Sequence, residues 1–315
     1  MSQTPYPIVI GGTVAIDHVK TPSAEASHLL GGSASYAALA ASFFSSPVSL
    51  IGIIGHDFPA EHLEMLERKG VCLKGVERSE NESFTWSGEY HDNMNERTTH
   101  RVGLNVLESW KVQVPEASGQ APIVVLANMS PDNQLEMLEQ CNGGGDRFVV
   151  ADTMDLWIEI ANERLHEVLP RLDLFVLNEG EARELAGTSN LVQAGRLLVD
   201  KGPQHVVIKL GEFGAMLFSK KANEGSVELF RIPAWPLDTV ADPTGAGDSF
   251  LGAMAGYLSA HEQAPYDHTA LRQAIIYGSM MASFTCEAFS TRRLESLTKE
   301  ELSQRIEAFR KATSW

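Results

Sequence analysis

The chain has 315 residues, 43% of them hydrophobic and 21% charged, and a formal net charge of -16, a composition typical of a folded globular protein. The negative charge argues against a nucleic-acid partner, which would need a basic face. No apolar run is long enough to span a bilayer, so no membrane partner is expected. The three cysteines, Cys72, Cys141 and Cys286, are far apart and in no ligand spacing, so neither a disulfide framework nor a zinc site is indicated. Free cysteines suit a reducing compartment, and we expect a cytoplasmic protein.

The first seventy residues alternate apolar runs with glycine turns. Residues 8–12 (IVIGG) read as a buried strand, and alternation at 14–19 predicts a second strand. The pair Gly31 and Gly32 precedes a run of small residues that predicts a tightly packed helix ending near Phe44. Residues 47–54 predict another strand, and Pro59 starts a helix that ends near Lys69.

Residues 71–106 differ from the rest of the chain in their short alternating segments around a polar cluster at 91–96. This pattern predicts an exposed β-hairpin with one apolar face. Phe84 and Trp86 lie on that face. They either form the buried side of the small sheet or contact a substrate or a partner.

Four further apolar runs are followed by helical patterns, at 123–126, 148–151, 174–177 and 205–209. Apolar strands that alternate with helices predict a parallel sheet covered on both faces. Ligands of such α/β folds collect at the carboxyl ends of the strands. The following residues should therefore surround one crevice: Asn128, Asp152, Asn178 and Gly211.

Two segments at that crevice carry oxygen and cationic groups. Asn178 and Glu181 could hold Mg²⁺ through water, or they could simply cap a helix. Residues 211–215 predict a hairpin turn, and Lys209 beside it either meets a phosphate or stays solvated. Beyond them, residues 271–284 predict a second buried helix, and a capping box at 298–301 begins a closing helix.

The stretch from Asp242 to Phe250 (DPTGAGDSF) combines a glycine-spaced turn, an acid and an apolar helical run. Unpaired N–H groups at a helix start form an anion site, and Gly245 and Gly247 let an anion approach the main chain. Asp248 then either caps the helix or performs chemistry beside a phosphate.

These motifs resemble the PfkB (ribokinase-like) family of sugar and nucleoside kinases, and the resemblance covers nearly the whole chain in order. It implies one ribokinase-like α/β domain over residues 1–315, in which helices cover both faces of a mostly parallel central sheet. A small β-sheet lid would comprise about 13–20 and 71–106. Dimerisation through this lid is a hypothesis based on its exposed apolar face.

The resemblance also implies residue roles. Asp248 would be the catalytic base, and the amides of Gly245, Ala246 and Gly247 would form the anion hole. The residues implied to bind substrate are Asp17, Gly31, Gly32, Tyr36 and Arg101, with Tyr36 standing where the family usually has Asn. Those implied to border the nucleotide are Asn178, Lys209, Gly211, Gly214, Tyr277, Gly278 and Ser283.

The resemblance implies ATP and Mg²⁺ as cofactors, with Mg²⁺ held through water by Asn178 and Glu181. It also implies a candidate K⁺ site at Asp242 and Thr244. The expected activity is transfer of the γ-phosphoryl group of ATP to a hydroxymethyl group of a sugar, nucleoside or related polyol. The alternatives are a non-catalytic sensor of sugars or nucleotides with the same crevice, and a vitamin-type kinase.

Overall fold

The structure is a computed structural model that describes residues 7–142, 147–221, 225–261 and 266–314. The predicted domain of residues 1–315 also includes positions outside these ranges, among them residues 1–6 and Trp315. The strands are β1 Ile8–Gly11, β2 Ala15–Lys20, β3 Glu25–Gly31, β4 Val48–Ile54, β5 Val71–Arg78, β6 Phe84–Tyr90, β7 Arg97–Gly103, β8 Ile123–Leu126, β9 Phe148–Asp152, β10 Leu174–Asn178, β11 His205–Lys209, β12 Ala215–Lys220 and β13 Val227–Ile232. The helices are α1 Ser33–Ser42, α2 Ala60–Arg68, α3 Glu116–Gly119, α4 Pro131–Gln140, α5 Asp155–Ile160, α6 Asn162–Val168, α7 Glu179–Ala186, α8 Leu191–Asp200, α9 Ala246–His261, α10 His268–Thr285, α11 Arg292–Ser296 and α12 Lys299–Thr313.

The central sheet has nine strands in the order β13-β12-β11-β10-β9-β8-β1-β4-β5. Neighbours from β11 to β5 are parallel, while β12 and β13 are antiparallel. The mostly parallel α/β fold is therefore confirmed. The carboxyl ends of β8, β9, β10 and β11 lie at one edge of the sheet, because these four strands run in the same direction.

Helices cover both faces of this sheet because successive strand residues point to opposite sides. In β1, Ile8 and Ile10 join the core formed with α1, α9, α10 and α12. Val9 between them joins the core formed with α4, α6, α7 and α8. The chain thus buries two apolar layers, which is why its strands are apolar at nearly every position.

The second sheet is the lid, which has four strands in the order β3-β2-β6-β7. The segments that form it differ from the predicted residues 13–20 and 71–106. Val71–Arg78 belongs to the central sheet, where it pairs in parallel with β4 after the crossover helix α2. Glu25–Gly31, whose exposed residues hide its pattern, supplies the missing lid strand by pairing with β2.

Within the described residues, no helix has the length and apolar content needed to cross a membrane.

Candidate active site

One buried carboxylate holds the loop before α9 in place. Asp242 is fully buried; its Oδ1 accepts from the Thr244 amide at 2.9 Å and its Oδ2 accepts from the Ser290 amide at 3.0 Å. The Thr244 hydroxyl donates to the Tyr90 hydroxyl of the lid at 3.3 Å. Asp242 and Thr244 therefore tie the loop to the C-terminal part of the chain and to the lid. A monovalent cation at these two residues stays a prediction.

Gly245 turns the chain into α9. Its φ of 76° lies in the left-handed region, and a Cβ atom there would come within 2.3 Å of the Tyr36 ring. Both constraints require glycine. Because α9 begins at the next residue, Asp248 lies in its first turn, as predicted.

Of the backbone N–H groups at residues 245–247, one donates to an acceptor among the described residues and two do not. The N–H of Ala246 donates to the Pro243 carbonyl at 3.2 Å, so the structure departs from the prediction that this amide serves the anion hole. The turn itself brings the Pro243 carbonyl within reach. In the part of the chain that the structure describes, the N–H groups of Gly245 and Gly247 meet no protein acceptor. These two amides keep the capacity to bind an anion.

Asp248 is partly buried and lies beside positive charge. Burial raises the pKa of its carboxyl group, and the charges of Lys209 and Arg97 oppose that rise. A Cβ atom on Gly247 would lie 2.8 Å from the Lys209 ammonium, so this cation sits next to a free amide. The arrangement places a base, a cation and two unpaired N–H groups together.

Two more carboxyl groups share this site. Asp152 is 3% exposed, and its Oδ1 has no hydrogen-bond partner among the described residues. Burial raises the pKa of Asp152 well above its ordinary value and the nearby Asp248 adds to the rise, while Lys209 opposes it. Burial also raises the pKa of Glu181 to about 7, against the charge of Lys209. Lys209 is thus a shared counter-charge for the three acids.

Asn178 and Glu181 cap the N-terminus of α7, which is one of the two roles that the sequence suggested for this pair. The Asn178 side chain accepts from the Glu181 amide at 2.9 Å, and Glu181 Oε2 accepts from the Asn178 amide at 2.7 Å. Among the described residues, no three acidic, histidine or cysteine side chains converge as a metal site. The carboxylate and amide oxygens fit a hard cation that is held mainly through water, as Mg²⁺ often is.

Asp17 lies at the other end of the crevice. It is 4% exposed, and a Cβ atom on Gly31 would fall 2.0 Å from its carboxyl carbon, so Gly31 leaves the room that Asp17 occupies. Burial raises the pKa of Asp17 to about 8, and the charges of Asp242 and Asp248 add to the effect. The structure thus brings Asp17, Gly31 and the loop of Asp248 together.

Tyr36 lies beneath the glycine loop. The side chain is 1% exposed, its ring packs against Gly245, and it hydrogen-bonds with Ser290. Burial raises the pKa of the phenol well above its ordinary value. Tyr36 therefore supports the loop, and its contact with a substrate, like that of Gly32, stays a prediction.

Arg101 is separated from Asp17 by the lid sheet. It pairs with Ser87 across β6 and β7 and, with His18 and Asp57, lines a cavity of about 270 Å³. Adjacent residues of a strand point to opposite faces, so His18 and Asp17 face opposite ways. The structure thus departs from the assignment of Arg101 to the pocket of Asp17, because strand parity turns its side chain to the other face.

The predicted hairpin turn with Gly211 and Gly214 connects β11 and β12 directly after Lys209. The Leu210 amide donates to the Gly214 carbonyl at 2.8 Å. The tip of the lid contacts this turn, since Asn95 Nδ2 donates to Glu212 Oε1 at 3.3 Å. Both glycines therefore lie at the crevice, and their contact with a nucleotide stays a prediction.

The three residues on α10 that were predicted to border the nucleotide take part in helix packing, and their contact with a nucleotide stays a prediction. The Tyr277 ring stacks on Tyr257 with centroids 4.3 Å apart, and a Cβ atom on Gly278 would lie 2.9 Å from the Phe250 carbonyl. Ser283 donates to the Met280 carbonyl at 2.6 Å and accepts from Arg305 at 2.9 Å. These residues bind α10 to α9 and α12. Position along the sequence gave no information about which face of α10 they occupy.

Sequence analysis placed Asp152 at the crevice without giving it a role, and it assigned no role to Arg97 or Tyr90. Asp152 had a usable signal, since it ends an apolar strand whose carboxyl end faces the crevice. Arg97 and Tyr90 had none, because their position depends on how the lid folds back over the central sheet.

Comparison with known proteins agrees with this geometry. Residues 9–297 match the model of the pfkB family carbohydrate kinases. The chain belongs to this family. A cytidine kinase from Thermococcus kodakarensis is 28% identical over 79% of this chain and 88% of its own length. A nucleoside kinase from Methanocaldococcus jannaschii is 24% identical over 86% of this chain and 82% of its own.

Solved structures of PfkB and ribokinase-like proteins share the fold. A putative ribokinase II from E. coli, solved in complex with ATP and Mg²⁺, superposes with a TM-score of 0.77 at 19% identity and covers 98% of this chain and 99% of its own. The Methanocaldococcus jannaschii nucleoside kinase structure gives 0.75 at 18% identity, over 97% and 100% of the two chains. The protein is a PfkB-type carbohydrate or nucleoside kinase with a ribokinase-like fold.

Proposed function

We propose that this kinase transfers the γ-phosphoryl group of ATP to a hydroxymethyl group of a sugar or nucleoside, with Asp248 as the general base. The observation that carries the proposal is the open start of α9. There, the free amides of Gly245 and Gly247 and the Lys209 ammonium lie within reach of a partly buried carboxylate.

Asp248 removes the proton of the acceptor hydroxyl as that oxygen bonds to the γ-phosphorus. The bond between the γ-phosphorus and the bridging oxygen breaks, and ADP leaves with the bonding electron pair. Burial raises the pKa of Asp248, which makes its carboxylate a stronger base than an exposed one. The charge of Lys209 opposes the rise.

The amides of Gly245 and Gly247 bind the negative charge of the phosphoryl group in transit. Their donors are fixed by the turn at Gly245, which Asp242 and Tyr36 support from two sides. Little reorganisation is then needed when charge develops, which is the main advantage of such a site.

Magnesium ion, when bound with the nucleotide, neutralises phosphate charge. Asn178 and Glu181 orient its water ligands in this proposal, and the unpartnered Oδ1 of Asp152 supplies a further acceptor for them. Gly211 and Gly214 border the nucleotide. The candidate K⁺ site at Asp242 and Thr244 is tested by comparing turnover in potassium and in sodium buffers.

Asp17 binds acceptor hydroxyls in this proposal. Because its pKa is about 8, it is protonated at neutral pH and can donate a hydrogen bond as well as accept one. The lid closes over the acceptor. Exposed apolar residues on the lid, Val102 and Leu104, motivate the proposed homodimer, which light scattering would contradict by reporting a monomer.

A coupled phosphorylation screen with ATP and Mg²⁺ tests the proposal, beginning with cytidine and other nucleosides and continuing with sugars. We expect turnover with at least one acceptor and product phosphorylated at a hydroxymethyl group. Nucleotide binding without turnover on any acceptor would favour the sensor, and turnover only with vitamin-type alcohols would favour the vitamin-type kinase.

A further inference from the structure

The tip of the lid bridges the two loops that form the phosphate end of the crevice. On one side, Tyr90 accepts a hydrogen bond from Thr244 in the glycine loop at 3.3 Å. On the other side, Asn95 donates to Glu212 in the nucleotide turn at 3.3 Å, and its Oδ1 lies 3.4 Å from where a Cβ atom on Gly211 would be. Residues 90–97 therefore span the entrance between these loops.

Arg97 lies at this bridge and faces inward. It stands directly opposite Tyr90 in the β6–β7 ladder, and directly opposed residues of antiparallel strands project from the same face. Since Tyr90 reaches the glycine loop on that face, Arg97 points toward the same loop.

The guanidinium group of Arg97 is exposed and has no ion-pair partner among the described residues. The nearby acids of the lid are engaged elsewhere, Glu89 with Lys20 and His100, and Glu96 with His91. The positive charge of Arg97 nevertheless acts across the crevice, where it opposes the rise that burial causes in the pKa of Asp248 and of Glu181. Within the described residues, Arg97 forms no ion pair with these acids.

We propose that Arg97 is the lid's phosphate-binding residue, which contacts the transferring phosphoryl group from the side opposite Lys209. The proposal rests on the proposed kinase function and deepens it. A guanidinium fork matches two phosphate oxygens at once, which an ammonium group cannot do. Because the residue comes from the lid, closure over the acceptor completes the charge around the phosphoryl group.

Arg101 provides a matched control. It lies on the same strand, four residues away, and is also exposed, but a register shift in the β6–β7 ladder between Ser87 and Gly88 puts it on the other face of the lid, where it lines the cavity with His18 and Asp57. Removing either arginine changes the net charge of the lid equally. Only Arg97 is placed to touch a phosphate.

The experiment compares Arg97→Ala, Arg97→Lys and Arg101→Ala in the full chain, with kcat, KM for ATP, and melting temperature measured for each. We expect Arg97→Ala to lower kcat/KM for ATP about 10²- to 10³-fold, the scale of losing one charge-stabilising donor, with the melting temperature unchanged. Arg97→Lys should recover only part of the loss. Arg101→Ala should stay within about threefold of the wild-type value, as expected of a site that touches no substrate.

Added guanidinium ion gives a readout that a structural role would not move. It should restore part of the turnover of Arg97→Ala and none of that of Asp248→Asn. Equal activity of Arg97→Ala and Arg101→Ala, or a loss that appears only as a lower melting temperature, would overturn the role of Arg97. Either result would leave the proposed function intact. The proposed function itself would fail if the wild-type protein phosphorylated no acceptor.

Discussion

Two loop-to-helix junctions meet at the crevice, and they treat their helix N-termini in opposite ways. At α7, Asn178 and Glu181 satisfy each other's backbone amides, so the helix start is closed by its own side chains. At α9, glycines stand where capping side chains would be, and the amides of Gly245 and Gly247 are left without protein acceptors in the described structure.

The difference shows how one structural element serves two purposes. A closed helix start fixes carboxylate and amide oxygens in a rigid position, which suits the ordering of metal-bound water. An open start offers N–H groups and a positive dipole end to an anion. In the proposed function, one side of the crevice therefore serves a cation and the other side serves the phosphoryl oxygens.

Replacing Asp248, at the open start of α9, should have the largest effect on activity. We expect Asp248→Asn to lower kcat by roughly two to four powers of ten, the scale of general-base loss, while nucleotide affinity is retained. Steady-state kinetics and nucleotide titration measure this. The matched control is Glu179→Gln, in the first turn of the closed junction, where Glu179 pairs with Arg183. Unchanged turnover in Asp248→Asn would reject its role as base.

Adding one methyl group to the open junction should come next. Gly245→Ala would force a left-handed residue against the Tyr36 ring, and we expect a drop in kcat of about 10²-fold from misplaced amides, together with a lower melting temperature. Gly187→Ala is the control that introduces backbone strain without a steric clash, because Gly187 has a φ of 66° and a Cβ atom there would meet nothing within 4 Å. That control should lose about 1 kcal/mol of stability and no activity. Similar kinetics for the two variants would contradict the tightly supported loop.

Opening the closed junction should change the magnesium response. We expect Asn178→Ala to cost about 1 kcal/mol of stability and to raise the Mg²⁺ concentration for half-maximal turnover about tenfold. Thr298→Ala removes the capping box of α12, which also includes Glu301 but lies outside the site. If the two variants lose equal stability and share one magnesium response, the α7 cap is only structural.

The prediction with the smallest expected effect on activity concerns how the stability of the fold changes with pH. The folded state keeps Asp17 protonated up to about pH 8, whereas its unfolded pKa is near 3.8, so the stability it contributes is lost as the pH rises through this window. Asp17→Asn should therefore melt higher than the wild type at the upper end of the window, with the gap closing toward the lower end.

Asp57→Asn is the control with opposite sign. Its pKa is lowered because hydrogen bonds from Ser83 outweigh the effect of burial, so its contribution is present above its unfolded pKa of 3.8 and is lost as the pH falls. We expect Asp57→Asn to melt lower than the wild type at neutral pH. An Asp17→Asn melting curve that ran parallel to the wild-type curve at every pH would show that Asp17 is ionised in the folded state.

The sheet and the glycine loop were predictable from the sequence because their signals are local. Apolar runs such as 174–177 need only a window of a few residues, and the turn at Gly245 carries its own composition. The strand Glu25–Gly31 escaped because its exposed first half shows no alternation. Val71–Arg78 was assigned to the wrong sheet because pairing partners are not encoded within the segment.

The positions of Asp248 and Asn178 at helix starts were predictable because a motif places each of them on the backbone. Site residues were not predictable where side-chain direction decides. Ala246, in the middle of the motif, has its amide engaged by Pro243, and Arg101 lies on the outer face of its strand. Asp152 is buried by packing from several segments, which a single sequence does not reveal.

The seam between α1 and α9 has a consequence for how this enzyme can change. A Cβ atom on Gly252 would lie 2.0 Å from the Ala37 carbonyl, so the two backbones touch one turn beyond Asp248. No rotamer is available there to absorb a displacement, so this main-chain contact adds to the support that Asp242 and Tyr36 give to the loop of Asp248. In the proposed function, we therefore expect changes of acceptor preference in the lid, while the start of α9 keeps its position.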